Sequence, residues 1–239
     1  MSQAPITCRI EDGIARLQLD DGKANAISAA FIQALDGALD QAETAKAAIL
    51  IEGRAGVFSG GLDLKSLPFL DAHSLRQVLA DFGRVMLRLY GFPRPVVVRA
   101  NGHAIAGGAV LMLTADERYG TRGPYKVGLN ETALGIPLPR FILEMLKSQL
   151  PPWTYHPIVV AGTLMPPEEA LRLHLFNEIG EEQAMAERAL ERVKTLAALP
   201  EASYRQNKLA LRSAHLEQGQ AAYAAELEGF ANYFANVKR

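Results

Sequence analysis

Short strand-forming runs alternate along this chain with stretches of helical periodicity, and this alternation constrains the fold more than any other feature. Residues 6–19 alternate apolar and polar side chains around Asp12-Gly13, which is typical of a β-hairpin. Apolar residues then recur at helical spacing after Ser28, so a helix is predicted over 29–43 with Ser28 as its N-cap. A short buried strand is predicted over 47–53.

The same order repeats further along the chain. Apolar residues between 75 and 89 recur at i, i+3, i+4 and i+7, which predicts a long amphipathic helix after Asp71. The β-branched run at 96–100 is a predicted strand that leads into a glycine-rich loop at 101–108. Residues 109–115 are apolar on every side, as expected of a helix buried within a domain.

The last third of the chain is mainly helical in its pattern. Helices are predicted over 141–150, 167–173, 181–199 and 201–237. We therefore predict an α/β core over 1–180 and a C-terminal helical subdomain over 181–239. Its apolar faces need either the core or another subunit to cover them, so we expect an oligomerisation subdomain.

Composition excludes several functional classes. The chain has 239 residues, 49% hydrophobic residues and a net charge of -1, which describes a globular protein with no basic patch for nucleic acid or an anionic membrane. Cys8 is the only cysteine, so no intrachain disulfide is expected, and the five histidines lack metal-ligand spacing. The N-terminus has no secretory signal pattern, so we expect a cytoplasmic protein that spans no membrane.

One carboxylate has an unusual sequence context. Glu131 is the single charged residue within the run 127–137, which is otherwise uncharged and largely apolar. Burial among such neighbours would raise the pKa of its carboxyl group and suit it to act as a base.

Two glycine-rich segments upstream, 58–65 and 101–108, can supply backbone N–H donors. Gly107-Gly108 opens a predicted buried helix, where free N–H groups and the helix dipole favour negative charge. Taken singly, either glycine pair is explained equally well by a tight turn or close packing. Together with Glu131 they indicate stabilisation of an enolate.

These segments carry a resemblance to a known family. From about residue 10 to its end, the chain resembles the crotonase (enoyl-CoA hydratase/isomerase) superfamily, and segments 58–65 and 101–108 resemble its two oxyanion loops. The resemblance implies a core of repeated ββα units wound into a spiral. It also implies that the peptide N–H groups of Leu62 and Gly107 hold a thioester oxygen.

The resemblance further implies an acyl-CoA thioester as substrate, no separate cofactor, and a homotrimer or dimer of trimers. Six residues are implied as contacts of the CoA portion: Ala24, Ser59, Gly61, Asp63, Leu64 and Lys65.

The implied chemistry depends on a missing residue. Hydratases of this superfamily handle water with two glutamates, and this chain has Val110 at the first position and Glu131 at the second. The setting of Glu131 in 128–132 resembles that of the Δ3,Δ2-enoyl-CoA isomerases. The implied activity is therefore a shift of the double bond of a 3-enoyl-CoA to the 2-position, with Glu131 as the sole acid and base.

Two alternatives stay open. One is an enoyl-CoA hydratase, or another lyase or hydrolase acting on an acyl-CoA. The other is an acyl-CoA-binding subunit without turnover.

Several other polar residues are given lesser roles. Asp116, Glu117 and Arg118 are predicted to form a local ion pair. Lys208 and Arg212 are predicted to lie on a solvated helix face, with contact to CoA phosphates of a neighbouring subunit as the alternative.

Overall fold

A computed structural model of the chain describes residues 4–236 and confirms a mixed α/β fold. The strands are β1 (Ile6–Glu11), β2 (Ile14–Leu19), β3 (Ala48–Glu52), β4 (Gly56–Ser59), β5 (Val96–Ala100), β6 (Gly102–Ile105), β7 (Glu117–Thr121), β8 (Val127–Gly128) and β9 (Glu178–Gly180). The helices are α1 (Ala29–Thr44), α2 (Ala72–Tyr90), α3 (Gly107–Leu113), α4 (Arg140–Gln149), α5 (Pro167–Arg172), α6 (Glu182–Ala197) and α7 (Glu201–Asn236). Short 3-10 turns occupy Leu67–Phe69, Thr132–Leu134 and Pro152–Thr154, and a π-helical turn occupies His156–Val160.

The strands form two sheets, and from β3 onward successive strands belong alternately to the large and the small sheet. The large sheet has the order β1-β2-β3-β5-β7-β9, with β1 and β2 antiparallel as the hairpin pattern predicts and the other neighbours parallel. The small sheet has the order β4-β6-β8 and is parallel throughout. Successive parts of the chain therefore add first to one sheet and then to the other.

Side chains of the large sheet alternate between two apolar layers. On β3, Ile49 and Ile51 belong to the main core, whereas Ala48 and Leu50 face the layer that contains residues of α6. Because successive strand residues point to opposite faces, burial on both faces gives the continuous apolar runs seen in the sequence.

The glycine-rich segment after β5 differs from its prediction. A loop is expected over 101–108, but Gly102 already begins β6, which pairs with β4. A Cβ atom at Gly102 would lie 1.9 Å from the carbonyl carbon of Gly56. The glycine therefore permits two backbones to meet, and the strand it allows is invisible to apolar periodicity.

The C-terminal helices cover the core of their own chain. Helix α6 packs on the large sheet, and α7 packs on α2 and α4 through Tyr223, whose ring lies 4.6 Å from that of Phe141. The division at residue 180 and an oligomeric role for this subdomain stay predictions. The ends of both predicted domains, residues 1–3 and 237–239, lie outside the described residues.

The prediction of a local ion pair among Asp116, Glu117 and Arg118 is corrected, because both acidic residues pair with cations far away along the chain. Asp116 binds Lys208 at 2.8 Å and Arg212 at 3.0 Å, while Glu117 binds Arg192 at 2.7 Å. Lys208 and Arg212 are each 8% exposed, so the prediction of a solvated face is wrong. Both cations are held inside the fold by Asp116, which sequence spacing alone could not reveal.

Candidate active site

The carboxyl ends of the small sheet bring the three predicted site segments together. β4 leads into Gly60-Gly61-Leu62, β6 leads into Ala106-Gly107, and β8 leads into Glu131. Because parallel strands end at the same edge of their sheet, residues about 50 and 70 positions apart along the chain meet there.

The first loop is fixed by backbone hydrogen bonds to the segment before α1. The N–H of Ile27 donates to the carbonyl of Gly61 at 2.8 Å, and the N–H of Gly60 donates to that of Ala24 at 2.9 Å. The Gly61 backbone has φ +87°, a left-handed conformation that suits glycine. Within the described residues, the N–H of Leu62 donates to no protein acceptor.

The second turn aims another free amide at the same place. Ala106 has φ +53° and ψ -125°, a strained conformation for alanine, and its N–H donates to the carbonyl of Gly128 at 2.9 Å. Gly107 follows as the first residue of α3, where an N–H has no partner within the helix. A Cβ atom on Gly107 would lie 3.2 Å from the Leu62 nitrogen. The two unpartnered amides thus lie side by side.

Glu131 follows β8 directly and is held by its own backbone. Its carbonyl accepts from the N–H groups of Leu134 at 2.9 Å and Ile136 at 2.8 Å. The side chain is buried, and its Oε2 has no hydrogen-bond partner among the described residues. Burial raises the pKa of the Glu131 carboxyl group to about 7, so the group exchanges protons readily near neutral pH.

An apolar cavity of about 100 Å³ joins these groups. Glu131 and Asn130 are the only polar side chains among its lining residues, and Val110 lies on its wall. The remaining wall residues are Gly60, Leu62, Leu64, Phe82, Ile105, Ala106, Gly107, Leu134, Ile136, Pro137, Leu138, Pro139, Ile142, Phe230 and Phe234. The cavity therefore presents one carboxylate and two peptide donors to an otherwise apolar ligand.

The six residues predicted to contact CoA are spread around the first loop. Leu64 lines the cavity, while Ala24 and Lys65 do not line it and are exposed. Asp63 shapes the loop, because its carboxylate accepts from the N–H groups of Lys65 and Ser66.

Ser59 and Gly61 are both buried. The Ser59 hydroxyl donates to the Asn25 carbonyl at 2.8 Å and accepts from the Gly61 N–H at 3.2 Å. These two residues order the turn from within, and contact of the set with CoA stays a prediction.

Comparison with known proteins places the chain in a family. The family model described as enoyl-CoA hydratase/isomerase matches residues 9–239. The chain belongs to the enoyl-CoA hydratase/isomerase family. The predicted resemblance to the crotonase superfamily is thereby confirmed.

The similar proteins include both an isomerase and a probable hydratase. Human mitochondrial enoyl-CoA delta isomerase 1 is 28% identical over 93% of this chain and 75% of its own. A probable enoyl-CoA hydratase of Bacillus subtilis is 30% identical over 81% of this chain and 74% of its own. The crystal structure of human mitochondrial delta3-delta2-enoyl-CoA isomerase has a TM-score of 0.92 at 25% identity, covering 98% of this chain and 93% of that one.

The family resemblance and the strand-end segments do not reveal the far wall of the cavity. Phe82 of α2 and Phe230 and Phe234 of α7 close it, and both α7 rings are buried. The spacing of four between Phe230 and Phe234 places them on one helix face, which is the available sequence signal. Their partner face, however, is set by tertiary packing.

The part of the chain that the structure describes offers little support for catalysis by His103 or for a metal site. His103 packs its ring edge-to-face on Tyr125 with centroids 5.6 Å apart, and its Nδ1 accepts from the Lys126 N–H, so contacts within the protein account for its ring. Across residues 4–236, no cluster of three or more potential metal ligands occurs. Within the same range no helix is both long and apolar enough to cross a bilayer.

Proposed function

We propose that this chain is a Δ3,Δ2-enoyl-CoA isomerase. The observation that carries the proposal is that, among residues 4–236, Glu131 is the only ionisable side chain on the wall of an apolar cavity that also holds two unpartnered peptide N–H groups. Its similarity to human enoyl-CoA delta isomerase 1 supports the same reaction.

The reaction needs one proton to leave C2 and one to arrive at C4. Ionised Glu131 removes a C2 proton from the 3-enoyl thioester, and the electrons spread over a dienolate. The amides of Leu62 and Gly107 donate to the thioester oxygen as its negative charge develops. In other enzymes one such donor contributes about 3 kcal/mol of transition-state stabilisation. Protonated Glu131 then returns a proton at C4, which leaves the double bond between C2 and C3.

Val110 supports isomerisation over addition of water. It is fully buried and lines the cavity, and its side chain can neither orient water nor exchange a proton. A dry, apolar wall also strengthens the electrostatic effect of the peptide donors. The CoA portion passes the exposed part of the first loop, at Ala24, Leu64 and Lys65.

The test compares two reactions of one preparation. We expect rapid conversion of trans-3-hexenoyl-CoA to the conjugated 2-enoyl thioester and little hydration of crotonyl-CoA. Glu131→Gln should reduce isomerisation by about 10²- to 10⁴-fold, the usual contribution of an acid-base group. Glu217→Gln, an exposed glutamate of α7, is the matched control and should keep full activity.

A hydratase is the second candidate, and one observation favours it. Asn130 Oδ1 and Glu131 Oε2 are both buried without a partner on the same cavity wall, so a water molecule could donate to either. Dominant hydration of crotonyl-CoA would establish a hydratase. Equal inactivity of the wild type and Glu131→Gln, with acyl-CoA binding retained in both, would instead indicate a binding subunit.

A further inference from the structure

Phe230 stands between the site cavity and a second cavity beside α7. Both cavities are lined by residues 137–139 and Phe230, and the second is completed by Ala225, Glu226 and Gly229. The second cavity measures about 350 Å³ and opens at the protein surface, where Ala225, Glu226 and Gly229 are exposed, whereas the first measures about 100 Å³. The larger space therefore begins where the wall of the smaller one ends.

The shared wall has one part that can move alone. Pro137 and Pro139 have a fixed φ and confine the backbone on one side. On the other side the partition is the ring of Phe230, which is 7% exposed and packs edge-to-face on Phe234 with centroids 5.1 Å apart. A change of rotamer at Phe230 would join the two cavities without moving α7.

The second cavity suits an apolar occupant. Glu226 is its only ionisable lining residue among those the structure describes, and that carboxylate already accepts from the backbone N–H of Arg140, at the start of α4, at 2.8 Å. Proline, leucine, alanine, glycine and phenylalanine supply the other surfaces. Within the described part of the chain, no positively charged side chain lines it to attract a phosphate or a carboxylate.

We infer that the second cavity receives the distal carbons of acyl chains too long for the site cavity, and that Phe230 sets the chain length at which they enter. The inference rests on the proposed acyl-CoA function, since it extends the same bound chain. Short chains end before Phe230. Longer chains displace its ring and continue between α7 and residues 137–139, but the cost of moving the ring offsets the affinity gained from these further carbons.

Equilibrium binding of saturated acyl-CoAs from four to fourteen carbons tests this without turnover. Each newly buried methylene should tighten Kd by about fourfold. In the wild type this gain should fall off once the chain reaches Phe230. In Phe230→Ala the gain should continue over further carbons. Phe230→Leu, a smaller change, is the second variant in case the alanine protein has lost its helical circular dichroism.

Gly229 offers a matched block on the far side of the partition. Gly229 is exposed and a Cβ atom there meets nothing within 4 Å, so a larger side chain fits at the edge of the second cavity. Gly229→Leu combined with Phe230→Ala should abolish the added long-chain affinity.

Two results would overturn the inference. One is that Phe230→Ala and Phe230→Leu both leave the gain per methylene ending at the wild-type length. The other is that Gly229→Leu weakens short and long chains alike. Failure of every acyl-CoA to bind the wild type would be a different result, because it would remove the proposed acyl-CoA function itself and this inference with it.

Discussion

Glu131 is buried, and among the described residues its Oε2 has no hydrogen-bonding partner. Other buried carboxylates of the chain are paired: Glu52 binds Arg16 and Arg99, and Glu144 binds Lys147. An unpaired carboxylate is costly to ionise, and that cost is what makes it a better base once it is ionised. Its place at the cavity wall gives this proton affinity a use.

The raised pKa predicts the pH dependence of turnover. Glu131 must be ionised to remove a proton, and burial raises the pKa of its carboxyl group to about 7. We expect kcat/KM for 3-hexenoyl-CoA to rise with pH up to about 7 and then level off. If kcat/KM of the wild type were constant from pH 5.5 to 8, another group would be the base.

The same shift predicts how stability changes with pH. The folded-state pKa lies above the ordinary value of 4.5, so the folded protein holds the proton where the unfolded chain has released it. Stability is therefore lost as pH rises from about 4.5 to about 7, and the loss is complete above that window.

Glu131→Gln removes this cost and should stabilise the protein at pH 8 relative to pH 5. The gain should reach up to about 3 kcal/mol, which is an upper bound from the shift. Denaturant unfolding at the two pH values measures it. An equal effect of the substitution at both would contradict burial as the cause.

At the scale of single residues, the sequence is sufficient to predict the burial of Glu131 but not the burial of Lys208 and Arg212. An isolated carboxylate in an apolar run predicts burial because nothing nearby in the chain can pair with it. Lys208 and Arg212 were misjudged because their partner, Asp116, lies about 90 residues away in the chain. Only packing of α7 brings those charges together.

Strand ends and helix starts aim the peptide donors. Gly107 begins α3 and faces Leu62 across a gap that a methyl group would fill, since its Cβ would lie 3.2 Å from the Leu62 nitrogen. The two N–H groups can reach one oxygen only if that gap remains open. Glycine at 107 is thus a requirement of the site more than of the helix.

Gly107→Ala should lower kcat by about 10²- to 10³-fold, comparable to the loss of one oxyanion donor. Its backbone φ is not left-handed, so the fold should tolerate alanine with a small change in Tm. Gly37→Ala in α1 is the control: a Cβ there meets nothing within 4 Å, and the change should add about 0.5–1 kcal/mol of stability without affecting turnover. Full activity of Gly107→Ala would exclude the paired-donor geometry.

Element patterns were predictable where periodicity is strong. The hairpin, α1, α2 and α4 lie close to their predicted ranges, because their apolar spacing and caps act locally. β6 and β8 were not predicted, since four-residue and two-residue strands carry no period. Yet these two strands position Gly107 and Glu131, so the site geometry could not be read from elements alone.

Across the whole molecule, α7 ties the site to the rest of the fold. It contributes Phe230 and Phe234 to the cavity, Tyr223 to the contact with α2, and Lys208 and Arg212 to the pairs with Asp116. At Gly83 of α2 even a methyl group would lie 2.0 Å from the Tyr223 ring. The position of the cavity wall therefore depends on packing far from Glu131.

Asp116→Asn tests whether Lys208 and Arg212 are structural. Burial lowers the pKa of Lys208 to about 8, and the charge of Asp116 opposes that shift. Removing that charge should destabilise the protein by about 3–5 kcal/mol, as for other broken buried pairs, without changing the Kd of CoA thioesters in the folded protein.

Lys65→Met provides the contrast to Asp116→Asn, because Lys65 is exposed and follows Leu64, which lines the cavity. It should weaken binding of CoA thioesters and leave stability nearly unchanged. Weakened CoA binding in Asp116→Asn at full stability would support the alternative prediction that the two cations contact CoA phosphates.

The central claim is that one carboxylate in a dry cavity both removes and returns the proton. The most direct measurement is the fate of deuterium placed at C2 of 3-hexenoyl-CoA during a single turnover in ordinary water. The account predicts that a substantial fraction of the label appears at C4 of the 2-enoyl product, carried there by Glu131. A product that carries no deuterium at C4 would contradict the account, because the proton returned to C4 would then come from water or from a second group.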